Sequence, residues 1–598
     1  MVLPQKISQE AQVLLAQASA LKEKGQLQQA LACAQKAFKL APHHAQTHNM
    51  LGVIEQALKQ YAKALDHYLQ AHKLDEKDPV YIYNIAVIMA GLGKHEEAVQ
   101  CFMTSLMLNK TNAQAFIGMG DALATLGRYE EAILAYKRAL KINHKNVTAI
   151  THLAISYNEC GQYEYSIPLY QQALTISPAQ TTHSNYLFSL NYVPSDDDQV
   201  IYQAHRDWAK TYANPEITTG KYSNVVSTQR KLRLGCVSAN FKRHSMTKFF
   251  MPFFEHLNRD LFEVYLFSQT LKGDDLTRKL HDEADQWNDM LLADTNALVT
   301  KIKEDTIDIL VDLDGHEGGK QLLAFAQKPA PIQVSWLGYF NTTGLKAIDY
   351  FISDAFSSPP EVPQYFAETL VRLPNTRFCY MPPKDAPKVA KLPALKNEFI
   401  TFGCFNNLAK INDEVIRLWA KILHAVPNSH LILKARALND EATRNWFAAR
   451  FSGHGIEPTR LTFRPYSKNM ELYREYGDID IALDPFPFTG AVTTCDSLWH
   501  GVPVITLAGT RLVARQGAAF LSNLDMQDWV ANTQEDYLKI AVDKASNLEK
   551  LSQIRAQLRQ KMASSRICDG VSFAHEMEEA FLHMWKTWCE KQLSTPKA

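Results

Sequence analysis

What this sequence lacks narrows its function before any motif is read. It has no charge excess: 63 lysines and arginines stand against 63 aspartates and glutamates. That balance removes the electrostatic case for a nucleic acid or an anionic membrane as partner. It has no long hydrophobic run. The most apolar stretch, around 80–93, is too short to cross a bilayer and fits a packed helix. The start shows none of the apolar h-region of a signal peptide. Nine cysteines are scattered without a CxxC pair, which argues against a disulfide frame or a zinc site and for a reducing compartment. There is no GxxxxGKS/T, and no GxGxxG follows the apolar run at 232–238, so ATPase and dehydrogenase readings lack support. No His/Cys cluster has metal-ligand spacing. The expectation is a cytoplasmic protein of several domains, because 598 residues exceed the roughly 250–300 that one core can organise.

What is present begins with a repeat. Stepping by 34 residues from Gly25 reaches Lys59, Gly93, Gly127 and Gly161, each at the expected turn between two helices. Five residues after each turn comes a small side chain: Ala30, Ala64, Ala98, Ala132 and Ser166. A second small set, Ala37, Ala71, Ser105, Ala139 and Ala173, keeps the same phase. Period and phase match tetratricopeptide repeats, predicting an all-α superhelix over 1–182 with about five units. Such solenoids hold extended peptides on their concave face, where Asn49, Asn84 and Asn158 are candidate backbone clamps.

Beyond about 194 the period stops. One more helix is expected over 197–215, ending at Pro215, within a connector assigned to 183–230. Short apolar runs then alternate with helical patterns, the sign of parallel sheets covered on both faces. Strands are predicted at 232–238, 262–268, 307–313, 332–336 and 349–353. After a proline- and lysine-rich linker at 381–393, a second set is predicted at 399–405, 429–435, 460–464, 479–483 and 503–507. Two doubly wound α/β lobes, 231–385 and 386–590, place a ligand crevice at the carboxyl ends of their strands.

Four segments put polar residues where strands end and helices begin: 238–244, 312–319 continuing to 330–338, 403–412, and 483–503. Trp336-Leu-Gly-Tyr339 with Thr342-Thr-Gly344, and Thr493-Thr-Cys-Asp-Ser-Leu-Trp499 followed by Gly501-Val-Pro503, are the most distinctive. In order and wording these segments resemble the bacterial relatives of O-linked N-acetylglucosamine transferase, glycosyltransferase family 41, over essentially the whole chain. The resemblance implies tetratricopeptide repeats joined to a GT-B catalytic region, an acceptor-side lobe and a donor-side lobe, with inversion at the sugar and no metal or other cofactor. Charge on the departing diphosphate must then be met by cations and helix N-termini.

The resemblance assigns Lys410 to the diphosphate, with Asn407 beside it, and Thr493 and Thr494 to phosphate oxygens. It assigns Asp496 to the donor ribose. Ser467, Lys468 and Arg474 fall in the base-recognition segment. His244 matches the family's cleft histidine, whose ordinary pKa near 6.5 suits proton transfer. His316, after Asp314-Gly315, is expected to face the same crevice. Gln333, Gly338, Tyr339 and Thr343 correspond to the acceptor or sugar region. The sequence departs from the family pattern in three places: Val492 replaces a phosphate-binding hydroxyl, Leu472 and Asn469 stand where a base-stacking histidine and a ribose lysine are usual, and Phe340-Asn341 replaces Pro-Gly.

The function so implied is transfer of a sugar to serine or threonine of a polypeptide held by the repeats. UDP-N-acetylglucosamine is the first donor expected, with GDP-fucose as rival. Asparagine-directed hexose transfer and a non-catalytic repeat scaffold are the alternatives. Self-association through the repeats is a further expectation.

Overall fold

A tetratricopeptide unit is two short amphipathic helices, and neither can bury its apolar stripe without the next unit beside it. The computed structural model describes residues 7–195, 197–213, 222–318 and 321–594. Pro215, Gly319 and the side chain of Asn469 lie outside the described residues. Two compact units are present, 1–157 and 158–598.

In the first unit the helical hairpins run Gln9–Glu23 with Leu27–Leu40, Ala45–Ala57 with Tyr61–Leu74, Pro79–Gly91 with His95–Leu108, and Ala113–Thr125 with Tyr129–Ile142. Each turn is made by one residue in the left-handed region: Gly25 (φ 74°), Lys59 (φ 62°), Gly93 (φ 81°) and Gly127 (φ 79°). Lys59 adopts the same geometry without a glycine's freedom, because the turn is fixed by helices packed on both sides. Ala30, Ala64, Ala98 and Ala132 have no solvent exposure, as do Ala37, Ala71, Ser105 and Ala139. The two phases of small residues are therefore the seams where paired helices touch. Asn84 donates to Asn49 Oδ1 at 2.8 Å, so these two amides bond to each other.

Helix Val147–Glu159 ends the first unit; the second begins at Asn158 and continues through Gly161, again with positive φ (75°), into helix Tyr163–Ile176. Helices Gln180–Leu190 and Asp198–Tyr212 follow, and their Leu187 and Trp208 enter the core of the first lobe beside Leu298 and Phe325. The helix predicted to run to Pro215 thus ends at Tyr212.

That lobe is one parallel sheet of seven strands: β1 (Leu232–Ser238), β2 (Phe262–Ser268), β3 (Gln286–Asp289), β4 (Ile309–Asp312), β5 (Ile332–Ser335), β6 (Tyr350–Asp354) and β7 (Thr369–Leu373), in the order β3-β2-β1-β4-β5-β6-β7. The second lobe is a parallel sheet of six: β8 (Thr401–Cys404), β9 (His430–Lys434), β10 (Leu461–Arg464), β11 (Ile481–Leu483), β12 (Val504–Leu507) and β13 (Val530–Ala531), in the order β10-β9-β8-β11-β12-β13. All ten strands expected from the sequence form, within a residue or two at their ends. The three it missed, β3, β7 and β13, are all at sheet edges. An edge strand needs no continuous apolar run, and Gln286-Trp-Asn-Asp289 has none.

In the first sheet the strand order reverses between β1 and β4, and in the second between β8 and β11. Each reversal splays neighbouring loops apart at the strands' carboxyl ends and opens a crevice there. The final helix, Gly570–Ser594, does not stay with the second lobe. It packs on Ser245–His256 of the first, with Glu578 accepting from Asn258 N at 2.7 Å and Trp585 donating to Ser227 O at 2.9 Å. The second lobe is therefore tied back to the first at its far end, which the boundary at 590 did not anticipate.

The repeat seams tolerate no added volume where a glycine meets an aromatic ring. A Cβ on Gly120 would lie 2.5 Å from the Tyr136 ring, whose hydroxyl donates to Asp121 at 2.8 Å. We expect Gly120→Ala to lower the repeat unit's melting temperature, followed by circular dichroism. Overpacking of about 1–3 kcal/mol outweighs the ~1 kcal/mol that alanine gains in helix propensity.

Candidate active site

The four polar segments are the four loops at the two switch points. On the first lobe, the loop after β1 carries His244 and the loop after β4 carries Asp314, His316 and Glu317. Asp314 ties these loops together: it accepts from Ser238 Oγ (2.8 Å), Ala239 N (2.6 Å) and Asn240 Nδ2 (3.2 Å). On the second lobe, the loop after β8 carries Asn406, Asn407 and Lys410, and the loop after β11 leads through Gly490 into helix Val492–Trp499. Asp484 braces this loop, accepting from Gly490 N (2.7 Å) and Thr506 Oγ1 (2.9 Å). Gly490 is required there, since a Cβ would sit 2.4 Å and 2.6 Å from the Thr494 and Thr493 hydroxyls.

Between the lobes these loops enclose a cavity of about 270 Å³. One wall is aromatic, with Phe188, Tyr192, Phe340 and Phe488 in ring contact. The other is polar, with Glu317, Asn406, Lys410, Thr493 and Gln516. Lys410 stands over the face of Phe488, 4.0 Å from its centroid, and donates to Thr489 O (3.0 Å) and Asn406 Oδ1 (3.2 Å). Burial lowers the Lys410 ammonium from its usual value, while the Asp484 carboxylate acts against that shift. Thr493 donates to the same Asn406 oxygen at 2.8 Å. Ala491, Val492 and Thr493 line the cavity at the start of their helix, where unpaired backbone N–H groups favour an anion.

The expected site residues divide sharply. Lys410, Thr493, Asn407 and Gly338 line the cavity. Gly338 admits no side chain: its Cβ would fall 2.1 Å from Leu313 O. The preceding Leu337 is held at φ 89°, a strained conformation for leucine, and also lines the cavity. Asn407 spends its side-chain oxygen capping Ala409 N (2.9 Å), so its neighbour Asn406 is the amide that organises the cationic centre. Both amides line the cavity, and which of them bonds Lys410 was not resolved by sequence order alone.

His316 does not face the crevice. It is buried against Trp208 and His205, with Nδ1 bonded to Ser184 Oγ (3.0 Å) and Nε2 to Thr343 O (2.9 Å). Burial and the neighbouring His205 hold its pKa well below the ordinary value. Gln333, Tyr339 and Thr343 are likewise internal. Gln333 donates to Phe325 O and Ala347 O (both 2.8 Å), Tyr339 bonds to His205 Nε2 (2.7 Å), and Thr343 is held by Glu368 through its amide (2.8 Å). None of these residues lines the cavity, although Tyr339 backs its aromatic wall through ring contact with Phe188 and Phe340. Their motifs drew attention because buried polar networks need fixed partners.

In the base-recognition segment, Ser467 is buried between Lys434 Nζ and Glu475 Oε1, both at 2.6 Å. Lys468 and Arg474 are exposed and lie outside the cavity lining, as does the buried Thr494. The inward residue is Tyr473, stacked on His500 at 4.9 Å. Asp496 is buried, and both its oxygens meet Lys248 Nζ of the first lobe at 3.0 Å, with Tyr380 of the interlobe segment donating to it as well. Lys248 Nζ also lies 5.8 Å from the rings of Tyr380 and Tyr473. The carboxylate that the resemblance assigns to the donor ribose also forms an ion pair between the lobes.

His244 immediately precedes the cavity-lining Ser245 and Met246 but is not itself part of the lining. It caps helix Ser245–His256, with Nδ1 accepting from Met246 N at 3.3 Å, and its Nε2 lies 3.7 Å from Glu317 Oε1. Burial and Lys242 lower its pKa, so the ring is neutral at physiological pH. Glu317 carried no motif signal; only the adjacency of β1 and β4 brings it to His244.

Two parallel sheets whose switch-point loops meet across a cationic cleft define a GT-B fold. The model of glycosyl transferase family 41 matches residues 216–381 and 388–577, and the chain belongs to that family. Tetratricopeptide-repeat models match 15–79, 80–112 and 120–158. A mutant O-GlcNAc transferase of Thermobaculum terrenum superposes with a TM-score of 0.82 at 32% identity, over 87% of this chain and 99% of that one. The "Probable UDP-N-acetylglucosamine--peptide N-acetylglucosaminyltransferase SPINDLY" of Solanum lycopersicum is 37% identical over 68% of this chain and 44% of its own length. The corresponding SEC protein of Arabidopsis thaliana is 31% identical over 61% and 38%. The chain thus spans less than half the length of these curated relatives. Among the described residues no helix is long and apolar enough to cross a membrane.

Lys248 gives the interlobe pair a measurable weight. Burial disfavours its charge, but Asp496 more than offsets this, so the folded lysine lies above its ordinary value near ~10.4. Its contribution is therefore complete below that pH and fades only as pH rises through the raised value. We expect Lys248→Met to destabilise the second unit by about 3 kcal/mol, the low end for a broken buried pair since Lys248 is a quarter exposed. Denaturant titration followed by tryptophan fluorescence measures this, and Lys248→Met with Asp496→Asn should recover most of the loss.

Proposed function

We propose that this chain transfers a sugar from a nucleoside-diphosphate donor to a serine or threonine hydroxyl of a polypeptide. The observation that carries the reading is the interlobe cavity around Lys410. It joins a fixed ammonium (Lys410) and the start of helix Val492–Trp499 on one lobe to the Glu317 carboxylate on the other, with His244 Nε2 3.7 Å from that carboxylate. As the sugar–phosphate bond breaks, negative charge grows on the diphosphate. Lys410 and the helix N–H groups are already aimed at that charge, so little reorganisation is needed. The Phe488 face and Asn406 hold the ammonium in place before substrate arrives. The aromatic wall excludes water from the sugar's far side and suits a sugar bearing an apolar group, such as an acetamido methyl.

UDP-N-acetylglucosamine is the donor proposed, supported by the activity for which the SPINDLY and SEC relatives are named. Polypeptide acceptors are proposed from the repeats, which in this fold class bind extended chains. Charge stabilisation comes from side chains and backbone of this chain, and the surrounding compartment is proposed to be the cytoplasm.

The test is calorimetric titration of the full chain with UDP and GDP in parallel, followed by donor turnover. Tighter UDP binding supports the proposed donor, and tighter GDP binding replaces it with a GDP sugar. Binding of neither nucleotide sinks the enzyme reading in favour of a scaffold. Lys410→Met is expected to lower turnover by about 10²–10³-fold. Wild-type turnover in that variant would remove Lys410 from the mechanism.

A further inference from the structure

The strand reversal in the first lobe places one carboxylate in the cavity that no motif explains. Glu317 follows β4 by a few residues, and its side chain lines the cavity with about a third of its surface open to it. The neighbouring acidic groups are committed elsewhere. Asp314 is consumed by the β1 loop, Asp312 by the amides of Asp314 and Gly315, and Asp484 by Gly490 and Thr506. Asp496 faces Lys248. Among the described lining residues Glu317 is the one carboxylate.

Its relation to His244 fixes how protons are arranged. His244 Nδ1 accepts the Met246 amide, so in the neutral ring the proton resides on Nε2. That N–H faces Glu317 Oε1 at 3.7 Å, a separation that shortens readily when a cleft closes on substrate. A ring whose Nε2 already carries a proton and whose Nδ1 is bonded to backbone has no free lone pair for a substrate hydroxyl. The carboxylate beside it does.

Resting on the transferase reading above, we propose that Glu317 is the catalytic base and that His244 positions it. The acceptor O–H proton passes to a Glu317 carboxylate oxygen while the hydroxyl oxygen bonds to the anomeric carbon. The bond from that carbon to the diphosphate oxygen breaks, and its electron pair leaves with the nucleoside diphosphate against Lys410. The proton on Glu317 then returns to solvent, and the His244 Nε2–H bond keeps one carboxylate oxygen fixed throughout. Several groups face Glu317: His244 from helix Ser245–His256, Asp314 from its own loop, Tyr192 at the end of helix Gln180–Leu190, and Lys410 from the opposite lobe across the cavity. Partial desolvation in the cavity, with the Asp314 charge close by, raises the Glu317 carboxyl above the usual range. A base must be ionised, so kcat/KM rises with pH through that raised value, well above an ordinary glutamate near ~4.3.

The experiment follows nucleoside diphosphate release from UDP-N-acetylglucosamine and from GDP-fucose by the full chain, as a function of pH. Glu317→Gln keeps an oxygen that can accept from His244, so a merely structural glutamate would survive the change. As a base it would not. Turnover should fall by about 10²–10⁴-fold and the acid limb of the profile should disappear. Binding of UDP or GDP should stay within twofold, and sodium formate should partly restore Glu317→Ala. Near-wild-type turnover by Glu317→Gln, an unchanged acid limb, weakened nucleotide binding or absence of formate rescue would each overturn the assignment. Wild-type protein that turns over neither donor overturns the transferase reading itself, and this assignment with it.

Discussion

The site depends on one topological constraint: a parallel strand can have neighbours on both sides, and the chain reaches the two sides in separate excursions. Where β1 lies between β2 and β4, and β8 between β9 and β11, consecutive loops must part at the carboxyl end. At each gap a buried aspartate braces one of the loops. Asp314 bridges the β1 and β4 loops, and Asp484 bridges Gly490 to Thr506. Burial raises both carboxyls above the usual range, and their amide and hydroxyl donors oppose that rise. These bonds offset the cost of burying the groups and keep both loops rigid enough to act as walls.

Rigidity at the loops is complemented by ties between the lobes. The Lys248–Asp496 pair and Tyr380 sit at the inner edge of the cleft, while helix Gly570–Ser594 returns to the first lobe and anchors through Glu578 and Trp585. The ion pair would have to share Asp496 with any ribose hydroxyl reaching it.

Much of this architecture was legible in the residues. The 34-residue phase of small side chains named the seams of the repeat helices, because a packed helix pair leaves no room for anything larger. Central strands announced themselves as apolar runs, because both of their faces are covered. The edge strands did not, since Gln286–Asp289 is bonded along one side only and its polar residues meet solvent. Lys410 and Thr493 were found by motif and lie in the cavity. His316, Gln333, Tyr339 and Thr343 were found the same way and lie beneath it, since a sequence motif marks any position with demanding neighbours, whether those neighbours are substrate or protein.

By itself the sequence determined the repeat, the two parallel sheets, the family and the loops at which chemistry would gather. These follow from local periodicity and from short-range patterns that any segment carries within itself. Only the tertiary structure decided which polar side chain in each loop turns inward: Asn406 as well as Asn407, Tyr473 in place of Arg474, Glu317 in place of His316. That choice depends on which loops the strand order brings face to face, over separations of tens to hundreds of residues. No local pattern encodes such a contact.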